Sequence, residues 1–305
     1  MTITRRRFLT IASAACMAGV TPAYGYRWEG MALGARAQIL LDHPKAEDLT
    51  RVAIAEIDRL EGIFSLYRRD SELMRLNHAG QLEAPSFEFL ECLSIATRVH
   101  RVTKGRFDPT VQPLWAALAE AHATGQKPDP DRIAGARAAI GLDRIRLDAA
   151  RIILDPGQGL TLNGIAQGYI ADRVAYRLQD HGVTDVLIDT GEILALGHRN
   201  GAPWPVKISG DPQERLLTGR ALASSDNYGT VFDHKGQQGH ILDPLQGQNP
   251  PAARRISISA ESAALADGLS TGLCLMPDAR AVRQALSKVK DAHLENLIER
   301  RKPLN

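Results

Sequence analysis

The stretch N-G-I-A-Q-G-Y-I-A-D-R, from Asn163 to Arg173, has the form of a glycine-containing turn that leads into a helix. A second stretch, A-L-A-D-G-L-S-T-G-L from Ala264 to Leu273, places Asp267 and Thr271 four residues apart. On a helix this spacing directs both side chains to the same face. A carboxylate and a hydroxyl opposite a turn with free backbone groups suit a hard cation such as Mg²⁺. Taken alone, such a pair is more often surface decoration, so the spacing leaves both interpretations open.

The N-terminus has the three parts of an export signal. Consecutive arginines precede Phe8-Leu9, an apolar run covers residues 11–20, and small residues around Ala23 and Gly25 match a cleavage site. The apolar run is too short to span a membrane, and the arginines followed by Phe-Leu are typical of the twin-arginine route. We therefore predict a signal over residues 1–25, a mature domain over residues 26–305, and a periplasmic protein that uses the twin-arginine export machinery. A basic N-terminus that stays attached is the alternative.

Composition bounds the class of protein. The chain has 305 residues, of which 44% are hydrophobic and 24% charged, so a globular core is expected. The formal net charge is +2, and several of the positive charges lie in the predicted signal. A nearly neutral mature surface argues against bulk electrostatic binding of nucleic acid. Cys92 and Cys274 lie in apolar helical patterns and are predicted to be buried thiols.

Hydrophobic spacing divides the mature chain between helices and strands. Helical periodicity covers residues 46–64, 87–102, 164–181, 261–276 and 278–289. Strand patterns cover two short segments around Asp148 and residues 183–188, 193–197, 205–209, 221–224 and 254–259. Residues 125–131 have the composition of a long loop. This order is neither a regular βαβ alternation nor all-β, so we predict an α+β fold, mixed α/β without a Rossmann core.

Three further segments combine polar side chains with turn residues. They are G-R-F-D-P-T-V at residues 105–111, S-S-D-N-Y at residues 224–228 and G-H-I-L-D-P at residues 239–244. Asp-Pro and Ser-Asp pairs are ordinary turn chemistry, so each segment alone is compatible with a structural turn. His240 alone is likewise more often a hydrogen-bonded structural histidine than a catalytic base.

Together these segments resemble the ApbE family, the FAD:protein FMN transferases, from Gly30 to Met276. Their order and spacing agree with the family throughout. In the N-terminal half, Met31 to Gly34 match the family's Met-Gly-Thr. Phe64 to Tyr67 match F-S-x-Y, Ser71 to Leu73 match S-E-L, and Leu76-Asn77 match L-N. Phe107 to Val111 match F-D-P-T-V. Further along the chain, Asn163 to Tyr169 match G-G-I-A-K-G-Y, and Asp185 to Gly191 match a strand that ends in D-x-G-G. Ser224 to Tyr228 match T-S-G-D-Y, His240 to Pro244 match H-I-x-D-P, and Ala266 to Thr271 match A-D-A-L-x-T.

The resemblance implies an ApbE-like fold and a specific reaction. Family members bind FAD with Mg²⁺ and transfer FMN to a Ser or Thr hydroxyl of a target flavoprotein through a phosphoester bond, releasing AMP. The target usually carries a D-G-x-[ST]-G-A-[ST]-like motif. Carried over to this sequence, the metal ligands are Asp267, Thr271, the Gly164 carbonyl and Ser270, the last at a position where some members have an acidic residue. The residues near the attacking hydroxyl are His240 and Asp243, and those at the FAD site are Met31, Tyr67, Arg106, Phe107, Asp108, Thr161, Gln167 and Ile241.

The residue types agree with this chemistry. Mg²⁺ on pyrophosphate oxygens offsets charge that repels a nucleophile, and a histidine can accept the proton of the acceptor hydroxyl near neutral pH.

Several positions depart from the family pattern. Thr161 stands where many members have Asp, Gln167 where many have Lys or Glu, and Glu192 in place of a glycine. Asp226 and Asn227 depart from the usual Gly-Asp. Two alternatives therefore stay open: a non-catalytic periplasmic protein that binds or delivers FAD, and a Mg²⁺-dependent FAD pyrophosphatase. The N-G-I-A-Q-G variant is similar to the exported branch that includes NosX, which serves nitrous oxide respiration, and there the target would be a membrane-bound respiratory flavoprotein.

Overall fold

The computed structural model describes residues 25–231, 239–247 and 253–300. The predicted export signal lies outside this part of the chain, except for Gly25, and stays a prediction.

A seven-stranded antiparallel sheet forms the frame of the fold. The strands of the described chain are β1 (Tyr26–Ala32), β2 (Ala35–Leu41), β3 (Gln81–Glu83), β4 (Arg146–Leu147), β5 (Arg151–Ile153), β6 (Val186–Asp189), β7 (Ile193–Leu196), β8 (Trp204–Lys207), β9 (Glu214–Leu217), β10 (Arg220–Asp226), β11 (Ala253–Ala260) and β12 (His293–Arg300). The large sheet has the order β1-β2-β6-β7-β10-β11-β12, and every neighbouring pair in it is antiparallel. Two small sheets, β3-β5-β4 and β8-β9, lie outside it.

Helices cover one face of the large sheet. The α-helices of the described chain are α1 (Ala46–Phe64), α2 (Glu72–Ala79), α3 (Phe87–Val102), α4 (Gln112–Thr124), α5 (Pro130–Ala138), α6 (Ala166–Asp180), α7 (Ala263–Leu273) and α8 (Ala279–Leu286). Because side chains alternate across a strand, Ile39 and Leu41 of β2 join the core beneath the helices. Leu40 joins a second core on the other face, under Trp204 of the β8-β9 ribbon.

The helix α7 lies at the centre of the helical layer. It packs against α3, α6, β10 and β11, and all of its residues are buried except Thr271. A helix that is apolar or small on every side is expected in such a place. Its only charged side chain, Asp267, is therefore carried into the interior by the packing of its neighbours.

The predicted α+β class is confirmed. The helices predicted over residues 46–64 and 87–102 coincide with α1 and α3. The helix predicted from residue 164 begins at Ala166, because the Asn163-Gly164-Ile165 turn comes first. The loop predicted over residues 125–131 ends early, because Asp129 caps α5 by accepting a hydrogen bond from Asp131 N.

Two further properties of the described chain are the composition of its helices and the state of its cysteines. No helix among the described residues combines the length and the apolar composition needed to cross a membrane. Cys92 and Cys274 are buried free thiols, as predicted.

Candidate active site

A cavity of about 510 Å³ opens where several elements meet. Residues from the following parts of the chain line it: the segment after α1, α2, the segment 106–116, the segment before α6 and the start of that helix, Glu192 before β7, the end of β10, residues 240–242 with Pro244, and α7. Most of the predicted site residues line it: Tyr67, Arg106, Phe107, Asp108, Thr161, Gly164, Gln167, His240, Ile241, Asp267 and Thr271. Met31, Asp243 and Ser270 do not contribute to its walls.

Asp267 and Thr271 face the turn that precedes α6. The backbone N–H of Gly168 donates a hydrogen bond of 3.2 Å to Asp267 Oδ2. A Cβ atom on Gly164 would lie 3.0 Å from Thr271 Oγ1 and 2.9 Å from its Cγ2. The glycine therefore lets the turn approach the Thr271 side chain closely. The structure thus brings the stretch from Asn163 to Arg173 into contact with the stretch from Ala264 to Leu273.

A second carboxylate, that of Glu192, shares the cavity with Asp267. Glu192 directly precedes β7, is 4% exposed, and accepts a hydrogen bond of 3.2 Å from Ser224 N at Oε2. Burial raises the pKa of Asp267 to about 8, and the charge of Asp172 acts in the same direction. Burial also raises the pKa of Glu192, and the charge of Asp267 adds to this effect. A cation beside these groups would favour their ionised forms.

The residues around Asp267 suit a hard cation that is shared with a phosphate ligand. No group of three or more His, Cys, Asp or Glu side chains within the described ranges could hold a metal ion. Mg²⁺, however, usually takes one or two protein carboxylates and completes its shell with water and substrate phosphates. Asp267 and Glu192, with the Thr271 hydroxyl and the backbone oxygen of Gly164, line the cavity and are groups that could hold such a cation.

Ser270 precedes the cavity-lining Thr271 in sequence but does not itself line the cavity. Its Oγ is 2.7 Å from Ser225 Oγ and donates a hydrogen bond of 3.0 Å to the carbonyl of Asp267. Ser225 Oγ is in turn 3.3 Å from Thr271 Oγ1. Ser270 therefore supports the site through Ser225, and its direct contact with a metal stays a prediction.

His240 is held in one orientation by the backbone. Its N–H and its Nδ1 are each 3.0 Å from the carbonyl oxygen of Thr230. A carbonyl only accepts hydrogen bonds, so Nδ1 carries the hydrogen and Nε2 keeps its lone pair. Burial lowers the pKa of His240 below its ordinary value, although the Thr230 bond and the charge of Asp226 oppose this effect. The imidazole is thus suited to accept a proton at Nε2.

Asp243 lies behind the cavity wall. It is 1% exposed, its Oδ1 accepts a hydrogen bond of 3.0 Å from Leu245 N, and its Oδ2 is 3.9 Å from Arg106 Nε. Arg106 Nε also donates to the carbonyl of Leu275 at 2.9 Å. Asp243 therefore holds the turn after His240 and keeps Arg106 beside the cavity, and its predicted catalytic role stays a prediction.

The Asp-Pro turn at residues 107–111 is built around the Asp108 carboxylate. Oδ1 accepts hydrogen bonds of 2.8 Å from Thr110 N and 2.5 Å from Thr110 Oγ1, and Oδ2 accepts one of 3.2 Å from Leu142 N. His100 Nδ1 lies 2.8 Å from the carbonyl of Phe107. The carboxylate thus fixes the shape of this wall.

The remaining predicted flavin residues are spread around the opening. Tyr67 is 41% exposed, and Thr161 N donates to the carbonyl of Pro109 at 2.9 Å. The side chain of Gln167 packs against the backbone of Gly191, where a Cβ atom would lie 2.9 Å from its Nε2. Met31 lies on β1, is 56% exposed and stands apart from the cavity wall. The arrangement brings every predicted flavin residue except Met31 to one cavity.

Glu192 is the candidate that the sequence analysis did not include among the site residues. The sequence did contain a sign of this role, because Glu192 replaces a glycine of the family pattern. A carboxylate beside a buried strand is rarely accommodated without a partner.

Comparisons with known proteins identify the family of this chain. A relative from Haemophilus influenzae, the FAD:protein FMN transferase, is 32% identical over 246 residues, which are 72% of this chain and 70% of that protein. The Vibrio cholerae protein of the same name is 31% identical over 305 residues, 92% of this chain and 90% of its own. Among solved structures, the Pseudomonas stutzeri flavinyl transferase ApbE in its apo form has a TM-score of 0.75 and 27% identity, covering 86% of this chain and 88% of that one. The profile of the ApbE family matches residues 32–295, and the chain therefore belongs to the ApbE family.

Proposed function

We propose that this protein is an FAD:protein FMN transferase. The observation that carries the proposal is one cavity that is lined by the oxygen-bearing side chains of Asp267 and Thr271 on α7, by Glu192 and by His240. In the reaction, the oxygen of a Ser or Thr side chain on a target flavoprotein forms a bond to the phosphorus of the FMN half of FAD. The bond between that phosphorus and the oxygen of AMP breaks, so AMP leaves.

The charges of the cavity support a requirement for Mg²⁺. Asp267 and Glu192 are buried carboxylates with raised pKa values, so a cation beside them is needed to favour their ionised forms. The same cation would offset the negative charge of the FAD pyrophosphate. We propose that Asp267, Thr271, the Gly164 carbonyl and Glu192 hold Mg²⁺ together with phosphate oxygens. When bound, Mg²⁺ offsets charge on the pyrophosphate and orients the reacting phosphorus. Arg106 lines the same cavity and supplies a fixed positive charge.

His240 is proposed as the general base. Its Nδ1–H is directed to the Thr230 carbonyl, which leaves Nε2 as the acceptor, and its lowered pKa keeps the ring neutral near pH 7. The proton of the attacking hydroxyl therefore passes to Nε2 as the phosphoester bond forms.

Intact-mass spectrometry of an acceptor tests the proposal. A domain that bears a D-G-x-[ST]-G-A-[ST]-like motif is incubated with the mature protein, FAD and Mg²⁺. We expect a mass gain of one FMN that requires Mg²⁺ and is lost in Asp267→Ala, while the exposed Asp180→Asn control at the end of α6 keeps it. FAD that stays intact with an unmodified acceptor would favour a delivery protein, and FMN and AMP released without acceptor labelling would favour a pyrophosphatase.

The residues outside the described range support a proposed location. We propose that the twin-arginine machinery exports the protein to the periplasm, where it serves a membrane-bound respiratory flavoprotein as a NosX-like member of the family. Replacing Arg5 and Arg6 with lysine should keep the protein in the cytoplasm on cell fractionation. An unchanged periplasmic fraction would contradict this route.

A further inference from the structure

We infer that Asp172 is a positioning residue that fixes the metal-ligating helix α7 against α6, and this inference rests on the proposed function. Asp172 lies on α6 and is absent from the cavity wall. It therefore acts on the reaction through α7 rather than by contact with FAD or the acceptor.

The carboxylate of Asp172 accepts hydrogen bonds from the first two backbone N–H groups of α7. Ala263 N donates to Oδ1 at 2.7 Å, and Ala264 N donates to Oδ2 at 2.9 Å. The first amides of a helix have no partner within the helix and carry its partial positive charge. Ser262 Oγ accepts a hydrogen bond of 3.1 Å from the third backbone N–H group of the helix, that of Leu265. Two oxygens on two successive amides fix both the rotation and the axial position of α7.

The position of α7 determines the geometry of the site. Gly168 and Asp172 are four residues apart and share one face of α6. Gly168 approaches the Ala263 backbone closely and also donates to Asp267 Oδ2. Asp267 and Thr271 follow Ala263 by one and two helical turns. A rotation or slip of α7 at Asp172 would therefore move both side chains away from the turn at Gly164.

Mg²⁺ titrations of Asp172 variants test the inference. Asp172→Ala removes both acceptors, Asp172→Asn removes the charge and one acceptor with little change in volume, and Asp172→Glu keeps the carboxylate. Replacing residues that orient metal ligands commonly weakens metal affinity about 10–100-fold. We expect the Mg²⁺ concentration for half-maximal stabilisation against heat, measured with FAD present, to rise by about that factor in Asp172→Ala. Asp172→Asn should show a smaller increase and Asp172→Glu partial recovery.

Two controls separate a positioning role from a general structural one. Asp180→Asn changes an exposed aspartate of the same helix and should leave the Mg²⁺ response unaltered. FAD binding without Mg²⁺, followed by flavin fluorescence, should be unchanged in Asp172→Asn, because Tyr67, Thr161 and Ile241 lie on other elements. If Asp172→Ala does not fold, the near-isosteric Asp172→Asn decides the question.

The outcomes distinguish this inference from the proposed function. A wild-type Mg²⁺ response in a folded Asp172→Asn and Asp172→Ala would overturn the role of Asp172 and leave the transferase proposal intact. A parallel loss of FAD binding and Mg²⁺ response would also overturn it, because that result indicates general destabilisation. Absence of any Mg²⁺ effect on the wild-type protein would instead contradict the proposed metal site itself.

Discussion

Replacing Gly168 with alanine should separate the two helices that build the proposed metal site. A Cβ atom at this position would lie 2.2 Å from the carbonyl oxygen of Ala263, 2.4 Å from its carbonyl carbon and 2.7 Å from Ala264 N. All three are backbone atoms of α7, so no side chain can rotate away. Since ordinary contact begins near 3.4 Å, the spacing must increase by about 1.2 Å, the difference between 3.4 and 2.2.

This displacement has two measurable consequences. Overpacking of a well-packed interior commonly costs about 1–3 kcal/mol of unfolding free energy. For a domain of this size, each kcal/mol lowers the melting temperature by about 2–4 °C. The same shift moves Asp267 relative to the Gly164 turn, and a misplacement of about 1 Å in a catalytic arrangement can reduce the rate about 100-fold. We therefore expect Gly168→Ala to fold, to melt several degrees lower and to transfer FMN far more slowly.

Gly135→Ala is the matched control. Gly135 lies in the middle of the exposed helix α5, and a Cβ atom there would meet nothing within 4 Å. Alanine has the higher helix propensity, so this variant should be more stable by about 0.5–1 kcal/mol with unchanged transfer. Urea unfolding and intact-mass assays of both variants give the comparison. A Gly168→Ala protein with the stability and rate of the wild type would refute the reasoning, because the helices would then have room that the structure does not show.

Three further predictions concern the ionisable groups of the site. His240→Gln should abolish transfer, and in the wild type the rate should fall as the pH drops below the lowered pKa of His240, because protonation removes the Nε2 lone pair; a rate that rises on acidification would contradict this role. Glu192→Gln should raise the Mg²⁺ concentration for half-maximal transfer about 10-fold or more without lowering the unfolding free energy of the metal-free protein, since burial already disfavours the charged form of Glu192 and glutamine is neutral and of similar size. An unchanged Mg²⁺ response would remove Glu192 from the metal site. In the metal-free protein the folded state holds a proton on Asp267 between about pH 4, where the unfolded chain releases it, and its raised pKa of about 8. The unfolding free energy should therefore fall as the pH rises across that range, and the stabilisation by Mg²⁺ should be larger at about pH 8.5 than at about pH 6; equal Mg²⁺ stabilisation at both would argue against Asp267 as a ligand.

The sequence predicted best those elements whose periodicity is strong and whose caps are local. The pattern that predicted α1 consists of Leu49, Val52, Ala53, Ile57 and Leu60, all of which are buried except the half-buried Val52. In contrast, α4 begins with Gln112-Pro113 and is rich in alanine, so its apolar residues form no clear stripe. The β1-β2 hairpin turns at Leu33-Gly34 with positive φ at both residues, and the sequence analysis did not identify these strands.

Most of the predicted residues line the candidate site because they belong to recognisable motifs, whereas the contacts between them are products of packing. Nothing in the local sequence shows that Ser270 points to Ser225, or that the Asp243 carboxylate is engaged by Leu245 N. Glu192 was visible only as a departure from a glycine pattern. Its meaning depends on β7 and α7 being placed beside the same cavity, which requires the tertiary fold.

The two buried cysteines give the protein an internal reporter of its own opening. Cys92 lies in α3 and Cys274 directly follows α7, and burial raises the pKa of both thiols. Neither thiol should react with an alkylating reagent until the helical layer separates, so the labelling rate should report the free energy of that local opening. Since α7 carries the proposed metal ligands, ligands that bind the closed site should slow the labelling of Cys274 in proportion to their affinity. In a protein exported as proposed above, the same burial would keep these thiols from forming unwanted disulfides in an oxidising compartment.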